Sequence, residues 1–176
     1  MTLVISIITI MYLLLIAGFI YGFDKVKKFK LANLQSKTRF SVIIPFRNEA
    51  ENLPQLLESI QSLKYPKHLF EVIFINDLSE DDSVHIINSN LSNDPLNNID
   101  FSIINNSIKT NAPKKDAISK AINLAKYEWI ITTDADCLLP EYWLDSFDEC
   151  IQKSNPKCVA APVTYQVETS FLNRFQ

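Results

Sequence analysis

Two groups of acidic side chains in this chain have a spacing that suits the binding of a cation. Asp134 and Asp136 lie one residue apart in the segment TTDADC, and Asp77 begins a second acidic group that continues to Asp82. Side chains two residues apart on an extended segment point the same way, so the first two carboxylates repel unless a cation lies beside them. With no His or Cys cluster nearby, their oxygen atoms favour Mg²⁺ or Mn²⁺, partly hydrated and completed by substrate phosphates.

Each acidic group also has a purely structural interpretation. The group after Asp77 is equally an exposed turn in which Ser79 caps the next helix. Asp134 and Asp136 are equally negative charges that favour the positive end of the helix after them. The coincidence of the two groups favours a binding site, because both directly follow apolar segments and therefore fall at one edge of one predicted sheet.

Alternating apolar runs and helical patterns predict the elements that position these side chains. The apolar runs predict four strands, over residues 40–45, 70–75, 101–104 and 129–132. A segment with apolar residues at helical spacing follows each strand, and Asn48 and Glu51 form a capping box before the first of these helices. The alternation predicts an α/β fold, a mostly parallel sheet with helices on both faces, to which a fifth strand over residues 158–163 is added.

An uncharged apolar run at the N-terminus indicates a transmembrane helix. No charged residue occurs in residues 2–23, and about 20 such residues span the hydrocarbon core. A cleaved signal peptide would carry its basic residues before the apolar core, whereas here the lysines follow it. The positive-inside rule then predicts a single-pass protein of the cell membrane with a cytoplasmic globular part. The predicted organisation is a transmembrane helix over 1–23, a basic juxtamembrane linker over 24–38 and a globular domain over 39–176.

Composition excludes several other classes of protein. Seventeen Lys and Arg against 20 Asp and Glu give a net charge of −3, which argues against nucleic-acid binding. The only two glycines, Gly18 and Gly22, lie in the apolar N-terminal run, so the remaining chain has neither a GxGxxG turn nor a P-loop. Three widely spaced cysteines are typical of thiols in a reducing compartment.

Four segments, FSVIIPFRNEAENL, VIFINDLSEDDS, KKDAISKAI and IITTDADC, resemble in order and spacing the nucleotide-binding half of family 2 glycosyltransferases with the GT-A fold. The likeness covers residues 39–163. It implies that Asp77 contacts the nucleobase, and that Asp134 and Asp136 serve the ribose and the metal on the diphosphate. Five other residues are implied as nucleotide-sugar contacts: Pro45, Arg47, Glu49, Asn106 and Lys114.

The activity that this resemblance implies is metal-assisted, inverting glycosyl transfer. A nucleotide-diphosphate sugar, expected to be a UDP-sugar, would donate its sugar to a glycan or a lipid-linked acceptor of the cell surface or envelope. In the family, the carboxylate that deprotonates the acceptor lies in a later acidic motif, so we expect the catalytic base beyond Gln176. The chain is then the donor-binding N-terminal portion of a larger membrane enzyme, truncated at its C-terminus.

Two positions depart from the family pattern, and two other functions stay open. Pro113 stands where Gly normally precedes the lysine, and Leu78 replaces a common small residue in the acidic turn. A catalytically inactive, membrane-anchored nucleotide-sugar-binding subunit would carry the same motifs. A nucleotidyltransferase of related topology would carry a Gly-rich, basic N-terminal loop, and FSVIIPFRNEAE contains no glycine.

Overall fold

The apolar N-terminal run forms one helix, α1 (Thr2–Asp24), in the computed structural model of this chain, which describes residues 2–25, 29–92, 98–106 and 112–164. Helix α1 is long and apolar enough to cross a membrane, and none of its residues is buried. It belongs to the first of two units, Met1–Lys30, and the second unit is Leu31–Gln176. The orientation of α1 in a membrane stays a prediction.

The second unit is built on a parallel sheet with the strand order β3-β2-β1-β4. The strands are β1 (Phe40–Phe46), β2 (Phe70–Asn76), β3 (Asp100–Asn105) and β4 (Trp129–Thr132). The four predicted strands are confirmed to within one residue at either end. Strands β1 and β2 are buried along almost their whole length, as is usual for parallel strands that are covered on both faces.

Helices cover both faces of this sheet. They are α2 (Leu53–Ser62), α3 (Ser83–Ser92), α4 (Pro113–Ile122) and α5 (Trp143–Ser154), and a 3₁₀ turn, Lys67–Leu69, precedes β2. Alternate residues of β1 enter different cores: Val42 and Ile44 belong to the cluster shared with α2, α3 and α5, whereas Ile43 belongs to the cluster shared with α4. This alternation follows from the two-residue period of a strand.

The strand order reverses at β1. The chain first runs outward from β1 through β2 to β3, and then crosses back so that β4 pairs with the opposite side of β1. In open parallel sheets such a reversal point opens a crevice beyond the carboxyl ends of the strands, where ligands bind. Strand β4 ends earlier along the sheet than β1: its last residue, Thr132, is in register with Ile43, three residues before the end of β1.

Two local predictions are wrong. Asn48 does not cap the helix after β1, because α2 begins at Leu53 with Asn52 at the N-cap. Asn48 instead has a φ of 54°, and its Oδ1 accepts a hydrogen bond from the Glu80 N–H group at 2.8 Å. Residues 158–163 form no strand and are irregular. Pro162 has no N–H group to donate to a sheet, so it interrupts a strand pattern there.

Candidate functional site

The loops that follow β1, β2 and β4 leave the sheet at the same edge, because these three strands run parallel. Asp77 directly follows β2, and its N–H group donates to the carbonyl oxygen of Phe46 at 2.9 Å. At the other side of β1, the Thr133 N–H group donates to Ile43 O at 3.2 Å and leads the chain into Asp134 and Asp136. We call this edge, with its three loops, the rim. The predicted convergence of the acidic groups on one edge is therefore confirmed at the level of topology.

Asp134 and Asp136 both direct their side chains to solvent at the rim. The residue between them, Ala135, is only 3% exposed and belongs to the larger core, whereas both aspartates are exposed. The buried alanine fixes the backbone while its two neighbours project outward. The alternative in which these carboxylates serve the next helix is wrong, because α5 begins only at Trp143 and the helix dipole acts within about the first turn.

Lys114 joins this pair of aspartates from the first turn of α4. Its Nζ lies 2.7 Å from Asp134 Oδ1, and the two side chains are 63% and 56% exposed. A lysine at a helix N-terminus opposes the helix dipole, and the Asp134 carboxylate offsets that charge. An ion pair this exposed contributes about 0–1 kcal/mol, so either partner can readily exchange the other for a stronger ligand.

Asp77 is held by Asn106, which follows β3. The Asn106 Nδ2 group donates to Asp77 Oδ1 at 2.7 Å, and the Asn106 N–H group donates to Asn76 O, also at 2.7 Å. Asn106 is only 6% exposed, so it is a rigid support for a half-buried carboxylate. Two of the residues predicted for nucleotide binding are thus in direct contact.

The remaining predicted residues lie on β1 and the loop after it. Pro45 is half-buried in β1, in register with Ile75, and Arg47 is exposed directly after the strand. Glu49 makes contacts within the protein: its Oε2 accepts a hydrogen bond from Asn52 Nδ2 at 2.7 Å, and its N–H group donates to Ser83 Oγ at 2.9 Å. The structure therefore leaves Arg47 facing solvent and holds Glu49 in the loop.

The loops after β1 and β2 are tied together by residues that the sequence analysis assigned to other roles or missed. The Asn48 N–H group donates to Ser79 Oγ at 3.1 Å, and α3 begins only at Ser83, so Ser79 does not cap α3 as the structural interpretation of the acidic turn supposed. Asp81 accepts from the Ala50 N–H group at 3.0 Å, and its hydrogen bond with Ser83 lowers its pKa below the usual range. Asn, Ser and Asp are common turn formers, but the sequence does not reveal that these two turns pair with each other.

The rim suits a partly hydrated ion rather than an all-protein metal cage. Within the described ranges, no three His, Cys, Asp or Glu side chains are grouped to hold a metal. Asp134 and Asp136 supply two exposed carboxylates, which are hard oxygen ligands. Mg²⁺ typically takes one or two carboxylates, several waters and phosphate oxygens of a substrate, so two carboxylates at an open rim fit such an ion.

Known proteins resemble this chain in sequence. The family model described as Glycosyl transferase family 2 matches residues 41–175. The poly-beta-1,6-N-acetyl-D-glucosamine synthase of Staphylococcus epidermidis is 30% identical over 173 residues, which cover 92% of this chain and 39% of the synthase. The chain therefore spans well under half the length of this relative.

Solved structures resemble the chain in fold. The mannosyltransferase PcManGT from Pyrobaculum calidifontis, in complex with GDP-Man and Mn²⁺, has a TM-score of 0.60 at 22% identity over 73% of this chain and 37% of that chain. Residues 1–349 of S. aureus TarS in complex with UDP-GlcNAc give 0.59 at 21% identity over 72% and 38%. The predicted α/β fold of the GT-A type is confirmed by these likenesses.

Proposed function

We propose that this chain, which belongs to glycosyltransferase family 2, binds the nucleotide diphosphate of a sugar donor at the rim. The observation that carries the proposal is the convergence of Asp77, Asp134 and Lys114 on the edge where the strand order reverses. Parallel sheets bind ligands at this place, and the exposed carboxylates of Asp134 and Asp136 there serve neither the core nor a helix end. Asp77, supported by Asn106, would bind the nucleobase.

The diphosphate would lie between Lys114 and the two aspartates after β4. Asp134 and Asp136 would hold Mg²⁺ or Mn²⁺, with Asp134 also near the ribose. When bound, that ion would neutralise negative charge on the departing diphosphate. Lys114 can move from Asp134 to a phosphate oxygen at little cost, because its present ion pair is exposed. Pro45, Arg47 and Glu49 would form the wall of the nucleotide pocket.

The reaction we propose is inverting transfer of a sugar from a UDP-sugar to a glycan or lipid-linked acceptor. The S. epidermidis relative, a synthase of a GlcNAc polymer, and the TarS complex with UDP-GlcNAc support a donor of this class. An acceptor hydroxyl, deprotonated by a carboxylate, would attack the anomeric carbon opposite the leaving diphosphate. We place that base beyond Gln176, so the chain alone is expected to bind donor without robust transfer.

The proposed location is the cell membrane. Residues 1–23 would cross it once, and residues 24–38 would form a basic segment whose part from Leu31 onward belongs to the globular unit. That unit would face the cytoplasm. The helix α1 and the lysines that follow it support this arrangement. A cytoplasmic site would have direct access to nucleotide sugars, whereas the acceptor would be reached at the membrane.

Titration of the full chain in detergent micelles with UDP, with and without Mn²⁺, tests the proposal. We expect Mn²⁺-dependent binding of UDP, and we expect Asp77→Ala to weaken it about tenfold or more through loss of the nucleobase contact. Asp82→Ala is the matched control, since Asp82 is an exposed carboxylate of the same loop. Absence of UDP binding at any Mn²⁺ concentration, or equal loss in both variants, would contradict the proposal.

A second assay tests the position of the base. Incubation of the full chain with UDP-GlcNAc, Mn²⁺ and an oligosaccharide acceptor is expected to release almost no UDP above the background of slow hydrolysis. Robust transfer to the acceptor would show that a carboxylate within residues 1–176 acts as the base.

A further inference from the structure

Leu78 adopts a backbone conformation that leucine disfavours. Its φ is 60°, in the left-handed region where a Cβ atom crowds the following carbonyl oxygen. The other described non-glycine residues with a positive φ are all asparagines: Asn33, Asn48 and Asn155. Asparagine tolerates this region because its short polar side chain can hydrogen-bond locally. Leu78 is therefore the exception that needs an explanation.

The turn around Leu78 leaves its backbone little choice. Asp77 N–H donates to Phe46 O at 2.9 Å, and Ser79 N–H donates to Asn76 Oδ1 at 2.8 Å. Ser79 Oγ also accepts from the loop after β1, at Asn48 N–H. Because both neighbours of residue 78 are fixed in this way, the position demands a positive φ from whichever residue occupies it. Glycine would meet that demand without strain.

Packing does not account for the leucine side chain either. Leu78 is 52% exposed, and it belongs to neither of the core clusters in the described part of the chain. The strained backbone at Leu78 destabilises the fold, and a leucine side chain that stays half exposed contributes little hydrophobic stabilisation in return. Its position is informative, because it directly follows Asp77, the carboxylate assigned above to the nucleobase.

We propose that the Leu78 side chain is an apolar contact for the nucleobase of the donor. This inference rests on the proposed function, since it assumes that Asp77 binds the polar edge of the base. A nucleobase also presents apolar faces, and covering one of them would remove exposed leucine surface from water. Asp77 would then orient the base, while Leu78 adds affinity and disfavours donors whose base does not reach the turn.

Two substitutions at this position separate the side chain from the backbone strain. Leu78→Ala removes most of the side chain but keeps the strained backbone, and Leu78→Gly removes both. In the full chain with Mn²⁺, both variants are expected to bind UDP about three- to tenfold more weakly than wild type. Pyrophosphate has no nucleobase, so both variants should bind it, in the presence of Mn²⁺, as tightly as wild type does.

Thermal unfolding supplies an independent readout. Leu78→Gly should raise Tm relative to Leu78→Ala, because it relieves the left-handed strain. Asn155→Gly is the matched control: Asn155 has a φ of 44° as the C-cap of α5 and is exposed. Asn155→Gly can change Tm through the same backbone effect, but it should leave UDP affinity unchanged. It therefore shows that a change in stability does not by itself weaken UDP binding.

The outcomes distinguish this inference from the proposed function. If wild type binds UDP and Leu78→Ala binds it equally well, the leucine contact is wrong while donor binding stands. If the variants lose UDP and pyrophosphate in equal measure, the substitution acts on the phosphate site and the nucleobase contact is again wrong. If wild type itself binds no UDP, the proposed function fails and this inference fails with it.

Discussion

The acidic residues at the rim and those on α5 are used in opposite ways. At the rim, Asp134 and Asp136 are exposed, and Asp134 contacts an exposed lysine. On α5, Asp148 and Glu149 are only 1% and 2% exposed, and both accept hydrogen bonds from backbone N–H groups. In each region two carboxylates lie close together in the sequence, but only the pair on α5 is buried with every oxygen bonded to a backbone N–H group.

The carboxylates of α5 fasten the chain that precedes β1. We call residues 31–38 the strap. Glu149 accepts from the Ala32 N–H group at 2.7 Å through Oε2, and from the Leu34 N–H group at 3.0 Å through Oε1. Asp148 accepts from Lys37 N–H at 3.0 Å through Oδ2, and from the N–H and hydroxyl groups of Thr38 through Oδ1. Each carboxylate thus uses both of its oxygens on the strap.

These contacts determine how the two carboxylates ionise. The hydrogen bond from Lys153 is the main reason that the pKa of Glu149 is lowered to about 2. Burial raises the pKa of Asp148, but hydrogen bonds from Thr38, Gln152 and Lys37 outweigh it, so the pKa lies below the usual value. A buried carboxylate with satisfied oxygens stabilises the fold, whereas an exposed one is available to a ligand.

The largest expected effect is at the rim. Asp136→Asn should weaken Mn²⁺-dependent UDP binding about 100-fold or more, since losing even a residue that supports a metal ligand costs about 10- to 100-fold. Its Tm should stay close to wild type, because the side chain is exposed. Titration calorimetry and thermal unfolding measure the UDP affinity and the Tm.

Glu141→Gln is the control for this prediction. Glu141 is an exposed carboxylate in the same loop, so its substitution should change neither the UDP affinity nor the Tm. Equal UDP binding by Asp136→Asn and wild type would remove Asp136 from the metal site.

The next largest effect is expected on α5, where a substitution should change stability and not UDP affinity. Asp148→Asn should lower the free energy of unfolding by about 2 kcal/mol, because an amide NH₂ group would face N–H donors of the strap. Its affinity for UDP should remain that of wild type. Denaturant unfolding and UDP titration would measure both, and a change in affinity without a change in stability would contradict the structural role.

Asp145 provides a matched control on the same helix. Burial raises its pKa, and its buried Oδ2 has no hydrogen-bond partner among the residues described. Asp145→Asn removes a disfavoured charge, so it should leave stability unchanged or raise it slightly. A loss as large as that of Asp148→Asn would show that any charge change on α5 is harmful, and the comparison would fail.

A third prediction concerns the pH dependence of stability. The pKa of Glu149 is about 2 in the folded chain and 4.5 without the fold, so the unfolded state binds the proton more readily. The stability that Glu149 contributes is therefore complete above about pH 4.5 and is lost as the pH falls towards 2. Glu149→Gln should flatten this decline in urea unfolding measured from pH 7 to pH 3. An unchanged slope would contradict the lowered pKa of Glu149, to which Lys153 contributes most and the strap N–H groups of Ala32 and Leu34 contribute further.

The sequence predicts the elements better than the contacts between them. Dense β-branched and aromatic runs mark strands, so β1, β2, β3 and β4 could be predicted to within one residue. The exposed pair Asp134 and Asp136 could be predicted because it directly follows such a run. The strap could not, because Glu149 and Asp148 bind backbone N–H groups more than 100 residues away, and no side-chain pattern marks those groups.

The conformations of the rim loops could not be predicted from the sequence for a related reason. Asn48 has the residue type of a helix cap, yet it takes a positive φ and bonds to the acidic turn across 32 positions of the chain. Leu78 shows no local preference for the left-handed region that it occupies. In both cases a tertiary constraint overrides the local preference, and this occurs at the edge where we place the ligand.

The smallest expected effect on stability is that of the ion pair at the rim. Lys114→Met should change the free energy of unfolding by less than about 0.5 kcal/mol, because both members of the pair are exposed. Its effects on ligands should have opposite signs. UDP with Mn²⁺ should bind more weakly because a phosphate contact is lost, while Mn²⁺ alone should bind somewhat more tightly because a positive charge has left Asp134. Lys115→Met, at the exposed neighbouring position, should produce neither change. If Lys114→Met instead weakened Mn²⁺ binding as much as UDP binding, the role of Lys114 would be to hold the Asp134 carboxylate in place for the metal and not to bind the diphosphate. The rim carboxylates would then depend on contacts within the protein, as those of α5 do.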